Sequence, residues 1–190
     1  MKKALKYTIL GFSLIISIIT ILFILRFKTI QIQPNLQYQE EIKNLNKMIP
    51  DLGNILVSEN KITTDFCIFS KNKNVAEFFC DVSQSPKLPK LQFISFVASD
   101  GFSGISVNIM KYNNKFKTDI ESITDNIGTF DFLKSSNYKV IKQHLILNKL
   151  DYKPGDSIFG KVELEIKHKF SDSIIHSNGY FKTLLYFASI

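Results

Sequence analysis

Apolar and polar positions alternate in three different ways along the chain. From Tyr7 to Leu25 the string YTILGFSLIISIITILFIL runs nineteen residues without a charge. As a helix rising about 1.5 Å per residue it covers roughly 28 Å, close to the hydrocarbon thickness of a bilayer. It has no polar stripe at 3.6 spacing, only small polar residues such as Ser13 and Ser17, so it does not read as one side of a soluble core. A cleavable leader would have a shorter apolar run and a small-residue cleavage site, whereas this run continues into Arg26-Phe27-Lys28. The pattern predicts a transmembrane helix over 7–27.

The second regime has helical spacing. Tyr38, Ile42, Leu45 and Ile49 fall at i, i+4, i+7 and i+11, with Asn35 offering a cap and Pro50 and Gly53 ending the run. Glu40 and Glu41 precede Lys43 and Lys47, the order a helix dipole favours. Residues 28–54 are therefore expected to be a stalk carrying a short amphipathic helix. Such a helix either packs as a strut on the following domain or binds a partner, and the strut is the simpler account.

From Ile55 the period becomes two. Val162, Leu164 and Ile166 alternate with Lys161, Glu163, Glu165 and Lys167, as in a strand with one buried and one wet face. Ile105, Val107 and Ile109 repeat the pattern. Near the end Phe181, Thr183, Leu185 and Phe187 alternate with Lys182, Leu184 and Tyr186, so both faces of the last strand carry apolar residues. With further runs near 55–59, 62–70, 75–82, 91–98 and 138–149, about eight strands are predicted, a pattern typical of an antiparallel β-sandwich or barrel. Thr118 and Glu121 have capping-box spacing and Phe116, Ile120, Ile123 and Ile127 keep helical spacing up to Gly128, which predicts one short inserted helix.

The phrase Tyr152, Pro154, Gly155, Asp156, Ile158, Gly160, Val162 sits on a type II turn set by Pro154 and Gly155. Gly160 marks a bulge or a close backbone approach. The phrase is similar to the turn-and-strand of several immunoglobulin-like and arrestin-like β-sandwiches. It covers about 17 of 190 residues. The resemblance implies a sandwich architecture and no shared activity. The predicted fold is thus mainly β: a tail over 1–6, the membrane helix over 7–27, the stalk over 28–54, and an immunoglobulin-like or similar sandwich over 55–190.

Charge refines this picture. The net charge is +7, and Lys2, Lys3, Lys6, Arg26 and Lys28 supply +5 of it at the flanks of the apolar run. The remainder is nearly neutral, with no basic stripe interleaved with aromatics, so nucleic acid is not an expected partner. Those five residues read as membrane-anchor flanks, and a short basic tail ahead of the apolar run places the N-terminus in the cytoplasm. The domain is then extracytoplasmic, periplasmic or at the cell surface.

An oxidising compartment bears on the two cysteines. If the segment 62–83 folds as a hairpin with a loop over Asn72–Val75, Cys67 faces Cys80 across adjacent strands. That predicts a disulfide, with two buried thiols as the rival reading.

Catalytic motifs are lacking. The sequence has no phosphate-binding glycine loop, no nucleophile elbow and no paired-histidine zinc motif. His168, Asp172 and His176 are the best candidate metal cluster, and a polar turn between strands explains them more simply. Asp100, Gly101, Ser103 and Gly104 read the same way. No enzyme activity, cofactor or metal is expected. The expected function is binding: a tethered domain that docks a protein partner or a second copy within a cell envelope, with Tyr180, Tyr186 and the surplus apolar side of the last strand as the surface. A carrier holding a lipid or other apolar ligand between Phe-rich sheets is the alternative, and a hydrolase is weaker than either.

Overall fold

The computed structural model describes residues 7, 11–17, 25–45, 64–70, 73–99, 103–124, 138–169 and 173–187. Within these, the protein is mainly β. The strands are β1 (Lys28–Thr29), β2 (Gln31–Ile32), β3 (Cys67–Ser70), β4 (Lys73–Glu77), β5 (Phe79–Gln84), β6 (Leu91–Ser99), β7 (Ser103–Tyr112), β8 (Lys115–Thr124), β9 (Tyr138–Leu147), β10 (Ser157–His168) and β11 (Ile174–Phe187). They pair in the order β1-β8-β7-β6-β5-β11-β10-β9-β2, with β3 on β11 and β4 on β3. Because β1 and β2 are adjacent in the chain yet stand at opposite ends of that order, the sheet closes on itself almost completely, like a barrel.

Two pairings depart from the antiparallel expectation: β11 runs parallel to β5, and β2 parallel to β9. The fourteen-residue β11 joins the two halves. Along one edge it pairs with β10 over its length, and along the other it meets β3 at His176–Asn178 and β5 at Leu185–Phe187.

The interior is filled by side chains. Val82, Phe96, Val107, Phe116, Leu145 and Leu147 are fully buried. The rings of Phe66, Phe78, Phe96 and Phe181 stack edge-on or tilted, with centroids 4.7 to 5.4 Å apart. Gly160, which stands opposite Phe181, is the close approach expected from sequence. A Cβ there would lie 2.1 Å from the Phe181 ring, so the ring occupies the space a side chain would take. The Pro154-Gly155 turn also forms as expected: Gly155 has φ 91° and the Asp156 N–H donates to the Lys153 carbonyl at 2.9 Å.

Residues 115–124 form a strand, where a helix was expected. A spacing of four, as between Phe116 and Ile120, fits a period of two as well as one of 3.6. Phe116, Thr118 and Ile120 are buried, and Lys117, Asp119 and Glu121 face out. The deciding signal is Asn113-Asn114. Asn113 takes φ 52° and the pair Tyr112–Lys115 closes a two-residue hairpin onto β7. Ile127 and Gly128 lie outside the described residues.

Residues 28–45, expected as a stalk, are built into the sheet structure. After β1 and β2, a 3-10 turn (Leu36–Tyr38) leads to α1 (Glu40–Leu45). Leu36, Ile42 and Leu45 are buried and α1 packs on β11, the strut arrangement. Tyr38 departs from the expected stripe and is 64% exposed, and Asn35 makes no side-chain cap. Ile49, Pro50, Gly53 and the run at 55–59 lie outside the described residues. Residues 11–17 are helical and exposed. Among the described residues no helix is long and apolar enough to cross a membrane. Lys2, Lys3 and Lys6 and residues 8–10 and 18–24 of the apolar stretch lie outside them.

Candidate functional site

The outward side of β11 is where the expected surface residues lie. Tyr180 and Tyr186 share that side, six residues apart, with different surroundings. Tyr180 is half-buried. Its N–H donates to Asp65 Oδ1 at 2.5 Å, and Lys161 Nζ stands 5.4 Å from its ring centroid. Burial holds the Asp65 carboxyl above its usual range, against the pull of that hydrogen bond. Tyr180 is thus part of the joint where Thr64 and Asp65 meet β11, and offers little free surface.

Tyr186 is 43% exposed and donates its hydroxyl to the Asp81 carboxylate on β5. Burial, then the neighbouring carboxylate, pushes its phenol up to about 12, so it stays a neutral donor at any physiological pH. Leu184 on the same side is 58% exposed. The parallel pairing of Leu185 with Val82 brings this side beside the outward residues of β5, and Phe79 there is 45% exposed. Phe93 on β6 stands opposite Ser83 and is 36% exposed. Leu184, Tyr186, Phe79 and Phe93 therefore lie on one outer face around Asp81. Large apolar side chains gathered in this way mark interaction surfaces more often than scattered ones do. Sequence reasoning found the β11 members from the double-sided last strand. It missed Phe79 and Phe93 because their apolar neighbours Phe78, Cys80, Ile94 and Phe96 hide the alternation.

A second feature is polar. On the outer side of β9, β10 and β11, His144, Glu163 and Asn178 form one row and Lys142, Glu165 and His176 the next. They line a depression of about 410 Å³. Each carboxylate there already has a basic partner. Lys142 reaches Glu165 at 3.0 Å, Lys161 reaches Glu163 at 2.6 Å, and His144 Nδ1 lies 3.4 Å from Glu163. The Lys161 hydrogen bond, foremost, keeps the Glu163 carboxyl below its ordinary range. Two of these contacts join β9 to β10 and the Lys161–Glu163 pair runs along β10, so the row is a compensated ladder.

The candidate metal cluster is not assembled. His176 pairs with Glu165 and points outward, whereas His168 has the inward parity of Leu164 and Ile166 and packs on the Tyr138 ring at 5.1 Å. Asp172 lies outside the described residues. Among the described residues no group of three or more His, Cys, Asp or Glu is placed to hold a metal ion. In the other polar loop, Ser103 and Gly104 belong to β7, and Asp100 and Gly101 lie outside the described residues.

The cysteine pairing is corrected as well. Ser70 pairs with Lys73 and Cys67 with Glu77, so the hairpin closes across two residues and Cys80 leaves it for a place opposite Phe96. Cys67 lies beside Asn178, on the outward side, and its thiol approaches the Asn178 carbonyl at 3.9 Å. Cys80 faces the core and burial pushes its thiol well up. The two are not bonded to each other, because their side chains leave opposite faces of the wall.

The corner carried by the resemblance to sandwiches is ordered by Tyr152. Its hydroxyl donates to Asn148 Oδ1 at 2.6 Å and accepts the Lys149 N–H at 3.3 Å. Asn148 Oδ1 also accepts the Phe159 N–H at 3.2 Å, so one phenol fixes the β9–β10 connection. This is structural work, and it extends to β11, where the Gly155 N–H donates to the Leu185 carbonyl at 2.7 Å and the Leu185 N–H to the Asp156 carbonyl at 3.0 Å, beside the exposed apolar face.

No family model, curated protein or solved structure matches this chain. The functional reading therefore rests on its own residues.

Proposed function

We propose that the protein is a membrane-anchored, extracytoplasmic β domain that docks another protein, or a second copy of itself, as an assembly module of a cell envelope. The apolar stretch 7–27 is the anchor, with Lys2, Lys3 and Lys6 on the cytoplasmic side and Arg26 and Lys28 at the far headgroups. The finer reading of the sheet is an immunoglobulin-like sandwich whose two faces are joined through β11.

The observation that carries the docking role is the outer face of Leu184, Tyr186, Phe79 and Phe93, all large and exposed on strands whose inward sides already fill the core. Docking buries such a face without any change in fold, and the anchor raises the local concentration of a tethered neighbour. Chemical crosslinking of the full chain in its native membrane tests this. The expected result is a crosslinked species that is lost in the Leu184→Ser/Tyr186→Ser double variant. Recovery of monomer alone, or a crosslinked species indifferent to the double variant, contradicts it.

The alternative, a tethered carrier of a lipid or apolar ligand, needs space between the sheets. Phe66, Phe96, Phe116 and Phe181 fill that interior among the described residues, which favours docking over carriage.

A further inference from the structure

The anchored reading above leaves open which part of the sheet meets the bilayer, and the pairing of the incoming chain bears on that. Leu25 is helical, and at Arg26 the chain is already tied down. The Arg26 carbonyl accepts Gln143 Nε2 at 3.1 Å, while Oε1 of the same amide accepts the Thr118 N–H at 2.8 Å. Lys28 and Thr29 then pair with Phe116 and Lys115, and the Lys115 ammonium donates to Thr29 Oγ1 at 2.7 Å. Among the described residues, only Arg26 and Phe27 stand between the helical Leu25 and β1.

Direction follows from register. Since β1 is antiparallel to β8, the residues before Lys28 lead toward the end of the sheet where β8 finishes. The pairings Ser103–Thr124, Ser99–Gly104, Lys167–Ile174 and His168–Tyr138 put the corresponding ends of the neighbouring strands at the same place. At this near end β9, β10 and β11 carry Lys139, Lys142, Lys167 and Lys169, together with Ile141 and Ile174, which are 45% and 54% exposed. Lys139 and Lys167 stand directly opposite each other on β9 and β10. Glu165, bound to Lys142 at 3.0 Å, is the acid that β9, β10 and β11 place here among the described residues, with Glu121 exposed at the same end of β8.

We propose that this corner rests on the anionic lipid headgroups of the bilayer that holds the apolar segment, with the four lysines at the phosphates and Ile141 and Ile174 at the boundary with the acyl chains. Charge alone does not select it. Lys87, Lys90, Lys115 and Lys153 are exposed at the far end, whereas Lys167 of the near set is half-buried, and it is the direction of the incoming chain that selects the near set.

The far set supplies the control. The full chain is reconstituted into vesicles of phosphatidylglycerol with phosphatidylcholine, into phosphatidylcholine alone, and into dilute detergent. Exposed amines are then acylated and read lysine by lysine by mass spectrometry. In the anionic vesicles the near set is expected to label about fivefold less than in detergent, the weight of one lysine at a charged surface. The far set should be unchanged and the near set less protected on neutral lipid. Equal labelling of the two sets overturns the proposal, and so does protection of the far set. Near-set protection that is as strong on neutral lipid removes the anionic headgroup, and protection that persists in detergent points to a second copy or another protein. A carbonate wash and flotation separate the two layers of inference. If the chain leaves the vesicles, the anchored reading fails and takes this surface with it. If it stays and the labelling pattern is wrong, this surface alone fails.

Discussion

The inward and outward sides of β11 contrast residue by residue. Ser177, Gly179, Phe181 and Leu185 point in and are buried; Gly179 faces the Phe66 backbone and Phe181 lies over Gly160. Leu184 and Tyr186 point out and are exposed, yet they are as apolar as the inward residues. A strand whose inner side already supplies the core gains nothing in fold from a hydrophobic outer side. The contrast separates residues that hold the sheet together from residues available to something else.

The largest test of that contrast is Phe181→Ala. It empties the centre of the ring cluster and should cost about 3 to 5 kcal/mol, a fall in Tm of roughly 10 °C, measured by thermal unfolding of the full chain. A loss below about 1 kcal/mol would mean that the inside of β11 is not the core. Gly160→Ala comes next. Its Cβ would collide with the same ring, so about 1 to 3 kcal/mol should be lost. The double change with Phe181→Leu should recover part of that, and additive losses would show that the two positions do not touch.

Inside, polarity is the exception, and one row tests it. Gln84, Gln92 and Lys111 stand side by side on the inner face near the far end and are buried. The side-chain oxygens of Gln84 and Gln92 have no hydrogen-bond partner among the described residues. Burial lowers the Lys111 ammonium from its ordinary 10.5 to about 8, partly offset by Asp151. The unfolded chain therefore holds that proton more tightly, so the folded state gains stability as pH rises from about 8 to about 10.5. Lys111→Met should stabilise the protein by about 1 to 3 kcal/mol at pH 7, and the advantage should fade across that window in unfolding measured against pH. An advantage independent of pH would show that the lysine is not buried as an ammonium.

Much of this arrangement was legible in the chain. The alternation from Lys161 to Lys167, the type II turn at Pro154-Gly155 and the close approach at Gly160 follow from local chemistry, and each is found in the structure. Three features were not legible, for physical reasons. Phe116 and Ile120 share a spacing that both helix and strand allow, and Asn113 had to reveal the hairpin. The cysteines depended on a turn length, and shortening it from four residues to two sent Cys80 to another strand and another face. The closure of the sheet by Lys28–Ile32 uses pairs of residues too short to carry any periodic signal. As for the candidate surface, Tyr186 is exposed, whereas the covering of Tyr180 by distant residues 64 and 65 is a tertiary fact that no local pattern carries.

The smallest expected effect on stability falls on the outer side. Leu184→Ser with Tyr186→Ser should change unfolding by no more than about 1 kcal/mol, chiefly the exposed Tyr186–Asp81 hydrogen bond, because neither side chain contributes to the core. The most direct measurement places a photo-crosslinking residue at Leu184 in the full chain and, as a control, at His176 on the same side of the same strand, followed by irradiation in the native membrane. The account predicts a discrete protein adduct from position 184 and none from 176. Adducts of equal yield from both positions, or none from 184 in a protein that unfolds as the unmodified chain does, would contradict the docking face.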